Sequence, residues 1–174
     1  MEYVDDFCYL GSWVRTTDRD IVIRKAKAWE AANKLWRIWK ASNLSDGLKK
    51  KIFRATVEPV LLYGSECWSL TVAQERSLNG TYTRLLRKAL NVSYLSHTTN
   101  INLYGSIPPV STTIRSRRLE FAGHCHRRTD QPVHLALFYK PVGTFKPGGH
   151  RRMNYVTSIL RDSSLPSTTT VHRR

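Results

Sequence analysis

The sequence predicts a mainly α protein with one short β element at its N-terminal end. Apolar residues recur at spacings of three and four along several segments, which is the period of an amphipathic helix. Residues that cap or break helices separate those segments. With 41% hydrophobic side chains among 174 residues, the chain can also bury a core. We therefore expect a short N-terminal β element, a three-helix bundle and then a smaller basic helical module.

The first element is a short segment that mixes aromatic and aliphatic residues. Phe7, Tyr9 and Leu10 favour a strand, because aromatic and large apolar side chains fit a pleated surface. Gly11 lies within that segment and indicates a bend or a close approach of another backbone. We expect a strand or a hairpin there.

The first helix of the bundle is predicted over residues 20–42. Asp18 or Asp20 can cap its start, and no residue within it breaks a helix. Trp29 and Trp36 widen the helix's apolar stripe, and we expect both to belong to the core.

Two more helices complete the predicted bundle. Ser45 is a favourable N-cap for the second, and Pro59 should kink or end it because proline has no amide hydrogen. Thr71 and Gln74 have the spacing of a capping box, which predicts a third helix over residues 72–90.

Shorter helices are predicted downstream of the bundle. The expected segments are residues 99–104, residues 111–126, a turn or two from Pro132, and residues 154–161. Residues 163–174 are rich in serine and threonine, and we expect them to be disordered.

Charge is the strongest indication of function. Lysine and arginine number 28 against 13 aspartates and glutamates, a formal net charge of +15. Such an excess favours nucleic acid as the partner, because cations neutralise phosphates and release counterions. Residues 115–152 alone hold nine basic and two acidic side chains. The candidate nucleic-acid contacts are Lys49, Lys50, Lys51, Arg115, Arg117, Arg118, Arg127, Arg128, Arg151 and Arg152.

Metal and disulfide sites are disfavoured. The three cysteines are far apart, and His124, Cys125 and His126 point in different directions on one helix, so we expect neither a disulfide framework nor zinc. Asp5 and Asp6 follow Tyr3 in the pattern of a polymerase metal box, but no apolar strand precedes them. We therefore expect no cofactor in this chain.

Membrane association is disfavoured as well. No apolar run reaches the length of a membrane span. We expect no membrane partner, no small-molecule substrate, and an intracellular, nuclear location.

The order of several motifs resembles the C-terminal part of the endonuclease-reverse transcriptases of non-LTR retrotransposons. The motifs are FCYLGS at residues 7–12, LLYGSECW at 61–68, RRLEFAGH at 117–124 and GHRR at 149–152. Asp20-Ile21 and Lys34-Leu35 match the same order, and the resemblance covers roughly residues 5–162.

The resemblance implies a role for each region. Residues 1–19 would be a primer-grip-like β element in which Phe7, Tyr9, Leu10 and Gly11 hold the primer terminus. Residues 20–92 would be a thumb-like helical bundle that clasps an RNA/DNA template-primer duplex. Residues 93–162 would be a basic post-thumb helical region, and residues 163–174 a disordered tail. The catalytic palm with its Mg²⁺ ions lies outside this pattern, so we expect this chain alone to be non-catalytic.

Two other readings stay open on the sequence alone. One is a stand-alone nucleic-acid-binding module derived from such an element. The other is a non-functional relic, or a helical protein-interaction module whose charge is incidental. Salt-dependent binding to a duplex separates them, because phosphate binding weakens as salt rises.

Overall fold

The structure is a computed structural model that describes residues 8–9, 12–13, 17–134 and 155–164. Helices dominate these residues, so the predicted mainly α fold is confirmed. The α-helices with described bounds are α1 Thr17–Lys34, α2 Trp36–Lys40, α3 Asp46–Thr56, α4 Glu58–Leu61, α5 Val72–Ala89, α6 Asn100–Tyr104, α7 Val110–Arg127 and α8 Tyr155–Ser164. Short 3₁₀ turns cover Ser65–Cys67 and Tyr94–Ser96.

A pair of very short strands precedes α1. The strands β1 (Cys8–Tyr9) and β2 (Ser12–Trp13) are antiparallel. Each has two residues, and most of the segment before Thr17 lies outside the described residues. The pair is too small to establish the β element predicted over residues 1–19, which stays a prediction.

The first bundle helix is interrupted, so the prediction of one helix over residues 20–42 was wrong. The chain leaves helical geometry at Leu35 and starts again as α2. The last carbonyls of a helix lack partners within it, and the Ala32 carbonyl accepts a 2.7 Å hydrogen bond from the buried Trp39 indole. That bond fixes α2 against the end of α1.

Asp20 lies inside α1 and is buried, where the sequence suggested a possible cap. Its carboxylate accepts a 2.8 Å hydrogen bond from the Trp68 indole, 48 residues further along the chain. The Arg24 guanidinium approaches the same carboxylate at 3.7 Å and lies 4.2 Å from the centre of the Tyr63 ring. Asp20 therefore ties α1 to the segment that follows α4.

The helix starts of the rest of the bundle follow the sequence. Ser45 caps α3 by accepting from the Leu48 amide, and Pro59 lies in the first turn of α4. At the start of α5, the Thr71 hydroxyl accepts from the Gln74 amide while the Gln74 side chain accepts from the Thr71 amide. The predicted capping box is confirmed.

Tyr82 of α5 joins three helices in the centre of the bundle. Its hydroxyl donates a 2.7 Å hydrogen bond to Glu58 of α4, and its ring meets Phe53 of α3 edge-on at 5.2 Å. Burial, together with the Glu58 carboxylate, raises the pKa of the Tyr82 hydroxyl above its usual range. Tyr104 of α6 stacks on the same ring at 5.9 Å.

The downstream helices share the core of the bundle. Leu103, Ile107, Val110 and Ile114 belong to one buried cluster with the residues of α1, α3 and α5. The core therefore continues across residue 92, where the sequence analysis placed a boundary. The division of the chain into functional regions stays a prediction.

The segment after α4 packs against α7. Gly64 adopts a left-handed conformation with φ of 72°, which turns the chain from α4 into the 3₁₀ turn that packs against α7. Arg117 of α7 donates to the Leu62 carbonyl at 3.2 Å. Two motifs that carried the family resemblance, residues 61–68 and 117–124, thus meet at this joint.

The predicted downstream helices are confirmed with small shifts of their ends. Thr99 caps α6 by accepting from the Asn102 amide, and residues 132–134 are helical as Pro132 suggested. Helix α8 continues to Ser164, so residues 163–164 are helical and were wrongly assigned to a disordered tail. Residues 165–174 lie outside the described residues.

Candidate nucleic-acid interface

The three consecutive lysines of α3 differ in accessibility. Lys49 is only 6% exposed, and Lys50 donates to the Tyr104 carbonyl at 3.3 Å. Lys51 is exposed. Successive helical residues point about 100° apart, so three lysines in a row do not form one phosphate-facing edge. Of the three, Lys51 alone is an accessible cation.

Arg118, a predicted phosphate contact, lies in the interior. Its residue is 0% exposed, and its guanidinium pairs with Asp162 of α8 at 2.6 Å. Burial lowers the pKa of the Arg118 guanidinium, and the Asp162 carboxylate opposes that shift. Nucleic acid cannot reach this side chain in the folded protein, so the structure gives Arg118 a role in holding α8.

Two neighbouring arginines extend the same ion-pair cluster. Arg161 of α8 contacts Glu75 of α5 at 2.5 Å, and Arg115 of α7 approaches Glu75 at 3.4 Å. Arg161 also donates to the Leu70 carbonyl at 3.3 Å. The cluster joins α5, α7 and α8, and it takes up part of the positive charge that the sequence analysis assigned to phosphates.

The remaining predicted contacts fall into three groups. Arg127 and Arg128, at the end of α7, are exposed and available to phosphate. Arg117 is half-buried against the Leu62 carbonyl. The third group lies outside the described residues, apart from Tyr9, which is described only as a residue of β1. Its other members are Phe7, Leu10, Gly11, Arg151 and Arg152.

Exposed charge in the described part of the chain is strongly positive. Twelve described lysines and arginines are exposed, against five described aspartates and glutamates. The exposed basic residues are Arg19, Lys27, Lys34, Arg37, Lys40, Lys51, Arg54, Arg76, Arg84, Lys88, Arg127 and Arg128. Most of them lie on α1, α2, α3 and α5, so the accessible positive surface belongs mainly to the bundle.

A cleft at one end of the bundle combines cations with an exposed tryptophan. Its volume is about 430 Å³, and it is lined by Trp36, Trp39, Lys40, Arg87, Lys88, Asn91, Val92 and Ser93. Trp36 is 50% exposed, so the expectation that it belongs to the core was wrong. We call this feature the Trp36 cleft.

Two cations that line the Trp36 cleft, Lys40 and Lys88, and the nearby Arg37 lie close to aromatic rings. The Lys40 ammonium is 5.6 Å and the Arg37 guanidinium carbon 5.5 Å from the centre of the Trp36 ring. The Lys88 ammonium lies 5.8 Å from the centre of the Trp29 ring. No aspartate or glutamate is among the described lining residues. Alternating aromatic and basic side chains are what single-stranded nucleic acid uses for stacking and phosphate contact.

The break at Leu35 is the reason that sequence patterning misses this cleft. The sequence pattern places Trp36 and Trp39 on one apolar stripe of a continuous helix, whereas the helix breaks at Leu35 and only Trp39 of the two is buried. The one signal in the sequence is that Arg37 and Lys40 flank these tryptophans.

The described residues contain neither a candidate metal cluster nor a helix that could span a membrane. Within residues 8–9, 12–13, 17–134 and 155–164, no group of three or more histidine, cysteine, aspartate or glutamate side chains could hold a metal ion. Asp5 and Asp6 lie outside those residues. None of the described helices is long and apolar enough to span a membrane.

The chain is similar in sequence to a protein described as transposon-derived. A curated Caenorhabditis elegans protein, described as an uncharacterized transposon-derived protein, is 26% identical to this chain over 177 residues. The match covers 93% of the chain and 61% of the relative, so the chain spans less than two thirds of that protein. No family model and no solved structure matches the chain.

Proposed function

We propose that this chain binds nucleic acid as the thumb and post-thumb part of a non-LTR retrotransposon reverse transcriptase. The observation that carries the binding function is the excess of exposed cations, twelve against five exposed carboxylates in the described part of the chain. The ordered motifs and the transposon-derived relative support the retroelement origin. The partner is a template-primer duplex.

The accessible cations differ from those that the sequence suggested. The surface of the proposal consists of Lys51, Arg127 and Arg128 from the original set, together with the exposed cations of α1, α2 and α5. Arg118 and Lys49 are omitted because they are buried. The proposal assigns no metal to this chain, since the resemblance places Mg²⁺ on the palm, and it assigns the chain no catalytic step of its own.

Salt-dependent binding tests the nucleic-acid function. A fluorescently labelled RNA/DNA hybrid duplex is titrated with the protein by anisotropy at several salt concentrations. We expect the logarithm of the association constant to fall linearly with the logarithm of salt, by about 0.7 to 0.9 for each phosphate neutralised. Absence of binding at low salt refutes the proposal.

The reverse-transcriptase assignment needs a separate test. Transcripts from the locus are sequenced across the region upstream of the codon for Met1. A continuous reading frame that encodes a palm supports the assignment. Transcripts without such a frame favour a stand-alone nucleic-acid-binding module derived from a retroelement.

A further inference from the structure

We propose that the Trp36 cleft binds one unpaired nucleotide, with its base stacked on Trp36 and its phosphate held by Lys40 and Lys88. This inference rests on the proposed nucleic-acid function and assigns it a specific site. It predicts a preference for nucleic acid with a single-stranded extension.

The aromatic part of the site is held in place before any ligand arrives. Trp39 lies in the same short helix, is 2% exposed, and donates to the Ala32 carbonyl at 2.7 Å. This anchor fixes the orientation of α2, and Trp36 presents half of its surface to solvent. Because α2 is already held in place, stacking a base on the exposed indole requires less ordering.

Arg87, which also lines the cleft, is held by hydrogen bonds. Arg87 donates to the Thr98 carbonyl at 2.6 Å and to the Asn100 side chain at 3.1 Å. Those bonds engage Arg87, and Lys40 and Lys88 are the exposed cations that line the cleft. An ammonium on a flexible stem is well suited to a single phosphate.

Two further lining residues, Asn91 and Ser93, offer polar groups suited to the edge of a base. Asn91 lies just after α5 with φ of 54°, and Ser93 follows it. An amide side chain both donates and accepts, as base edges do. Such mixed polarity suits a base better than a simple carboxylate, whose oxygens only accept.

The size and charge of the cleft agree with this occupant. Its volume of about 430 Å³ falls in the range of small-ligand sites, about 300 to 1,000 Å³. Among the described lining residues the cleft has three cations and no carboxylate. Bases within a duplex are stacked on both faces and paired at their edges, so an unpaired nucleotide is the better fit.

The test compares three DNA probes bound by the parent protein and its variants at one salt concentration. One probe is a blunt duplex, the second has a short 3′ single-stranded extension, and the third has the same extension with abasic sites. The abasic probe keeps every phosphate and lacks only the bases, with their ring faces and polar edges.

We expect the extended duplex to bind more tightly than the other two probes. Trp36→Ala should remove that preference, weakening binding of the extended duplex by on the order of 5- to 150-fold. It should leave blunt-duplex affinity within about twofold. Trp36→Phe should keep most of the preference, because phenylalanine still offers a ring.

Charge variants and a spectroscopic signal check the geometry. Lys88→Gln should weaken the extended duplex more than Lys27→Gln does, since Lys27 is an exposed lysine of α1 outside the cleft lining. Stacking on Trp36 should quench tryptophan emission in the parent, and Trp36→Phe should lose that quenching while still binding. Thermal melting of each variant confirms that it is folded.

The outcomes separate this inference from the function on which it rests. If the protein binds duplexes but the extension adds nothing, or if Trp36→Ala weakens all three probes equally, the cleft proposal is wrong and the proposed function stands. If polyglutamate quenches Trp36 as well as the extended duplex does, the cleft is a general polyanion site and the inference is overturned. If no probe binds at low salt, both proposals fail.

Discussion

Removing either partner of the Arg118–Asp162 pair should destabilise the protein strongly without weakening nucleic-acid binding by the folded state. The two side chains are 1% and 0% exposed, and their nearest atoms are 2.6 Å apart. In Asp162→Ala, the buried guanidinium loses its ion-pair partner. Breaking a buried pair in this way costs about 3 to 5 kcal/mol.

The loss in Arg118→Met should lie at the lower end of that range, about 3 kcal/mol. The Asp162 carboxylate would still have Arg115 and Arg161 within 3.8 and 3.7 Å. The double variant Arg118→Met with Asp162→Leu should be closer to the parent than either single variant, because no buried charge of the pair remains unmatched. With Asp162→Leu as the second single variant, the two single losses sum to at least about 6 kcal/mol, whereas the double variant loses less than about 3 kcal/mol. The double-mutant cycle should therefore give a coupling energy of at least about 3 kcal/mol.

Two measurements test this role of the Arg118–Asp162 pair. Urea unfolding followed by far-UV circular dichroism gives the free energy of unfolding, and duplex binding across salt gives the number of phosphate contacts. Arg127→Met is the matched control, since Arg127 is an exposed arginine of the same helix. It should change stability by less than about 0.5 kcal/mol and reduce the salt slope by about one contact.

The opposite pattern would refute the reasoning. Single variants of Arg118 and Asp162 within about 0.5 kcal/mol of the parent would mean that the pair does not hold α8. If Arg118→Met reduced the salt dependence of duplex binding and left stability unchanged, Arg118 would be a phosphate contact after all.

Three further predictions concern the backbone and the core. Gly64→Ala should destabilise the protein by about 1 to 2 kcal/mol, because residue 64 has a φ of 72°. Gly80→Ala should instead stabilise it by about 0.5 to 1 kcal/mol, because residue 80 lies within a helix and no atom lies within 4 Å of the added carbon. Urea unfolding of both variants tests this difference in sign. Thr71→Ala should cost about 1 kcal/mol and Thr71→Ser much less, because serine also caps helix α5; equal losses in thermal melts would contradict the capping role. The raised pKa of Tyr82 contributes stability that is fully present below about pH 10 and is lost as the pH rises further, because the unfolded chain releases the tyrosine proton first. Above that pH, the free energy of unfolding should fall by up to about 1.4 kcal/mol per pH unit through this residue. Tyr82→Phe should remove this contribution to the pH dependence.

Local features were predictable because neighbouring residues determine them. The capping box at Thr71 and Gln74, the cap at Ser45 and the break at Pro59 each depend on residues within one helical turn. The apolar period likewise located α5 and α7 to within a residue or two at each end. The break at Leu35 was missed because no glycine or proline marks it, and its anchor is a side-chain bond to Ala32.

The candidate site was harder to predict because a charged residue in the sequence carries no information about its partner. Arg118 and Arg127 belong to the same helix and the same basic stretch, yet one is 0% exposed and the other is exposed. The difference arises from Asp162, 44 residues downstream of Arg118, which reaches α7 only when α8 docks. Trp36 and Trp39 differ in the same way, since one is 50% exposed while the other is buried and bonded to the Ala32 carbonyl.

The sequence by itself determined the mainly α fold, the starts of α3 and α5, and the net charge of +15. Helical period, capping and total charge are local or additive properties, so they can be read along the chain. Only the tertiary structure decided which cations remain accessible and where an aromatic ring lies beside them. Burial and ion pairing depend on residues brought together from distant parts of the chain, as Glu75, Arg115, Asp162 and Arg161 are here.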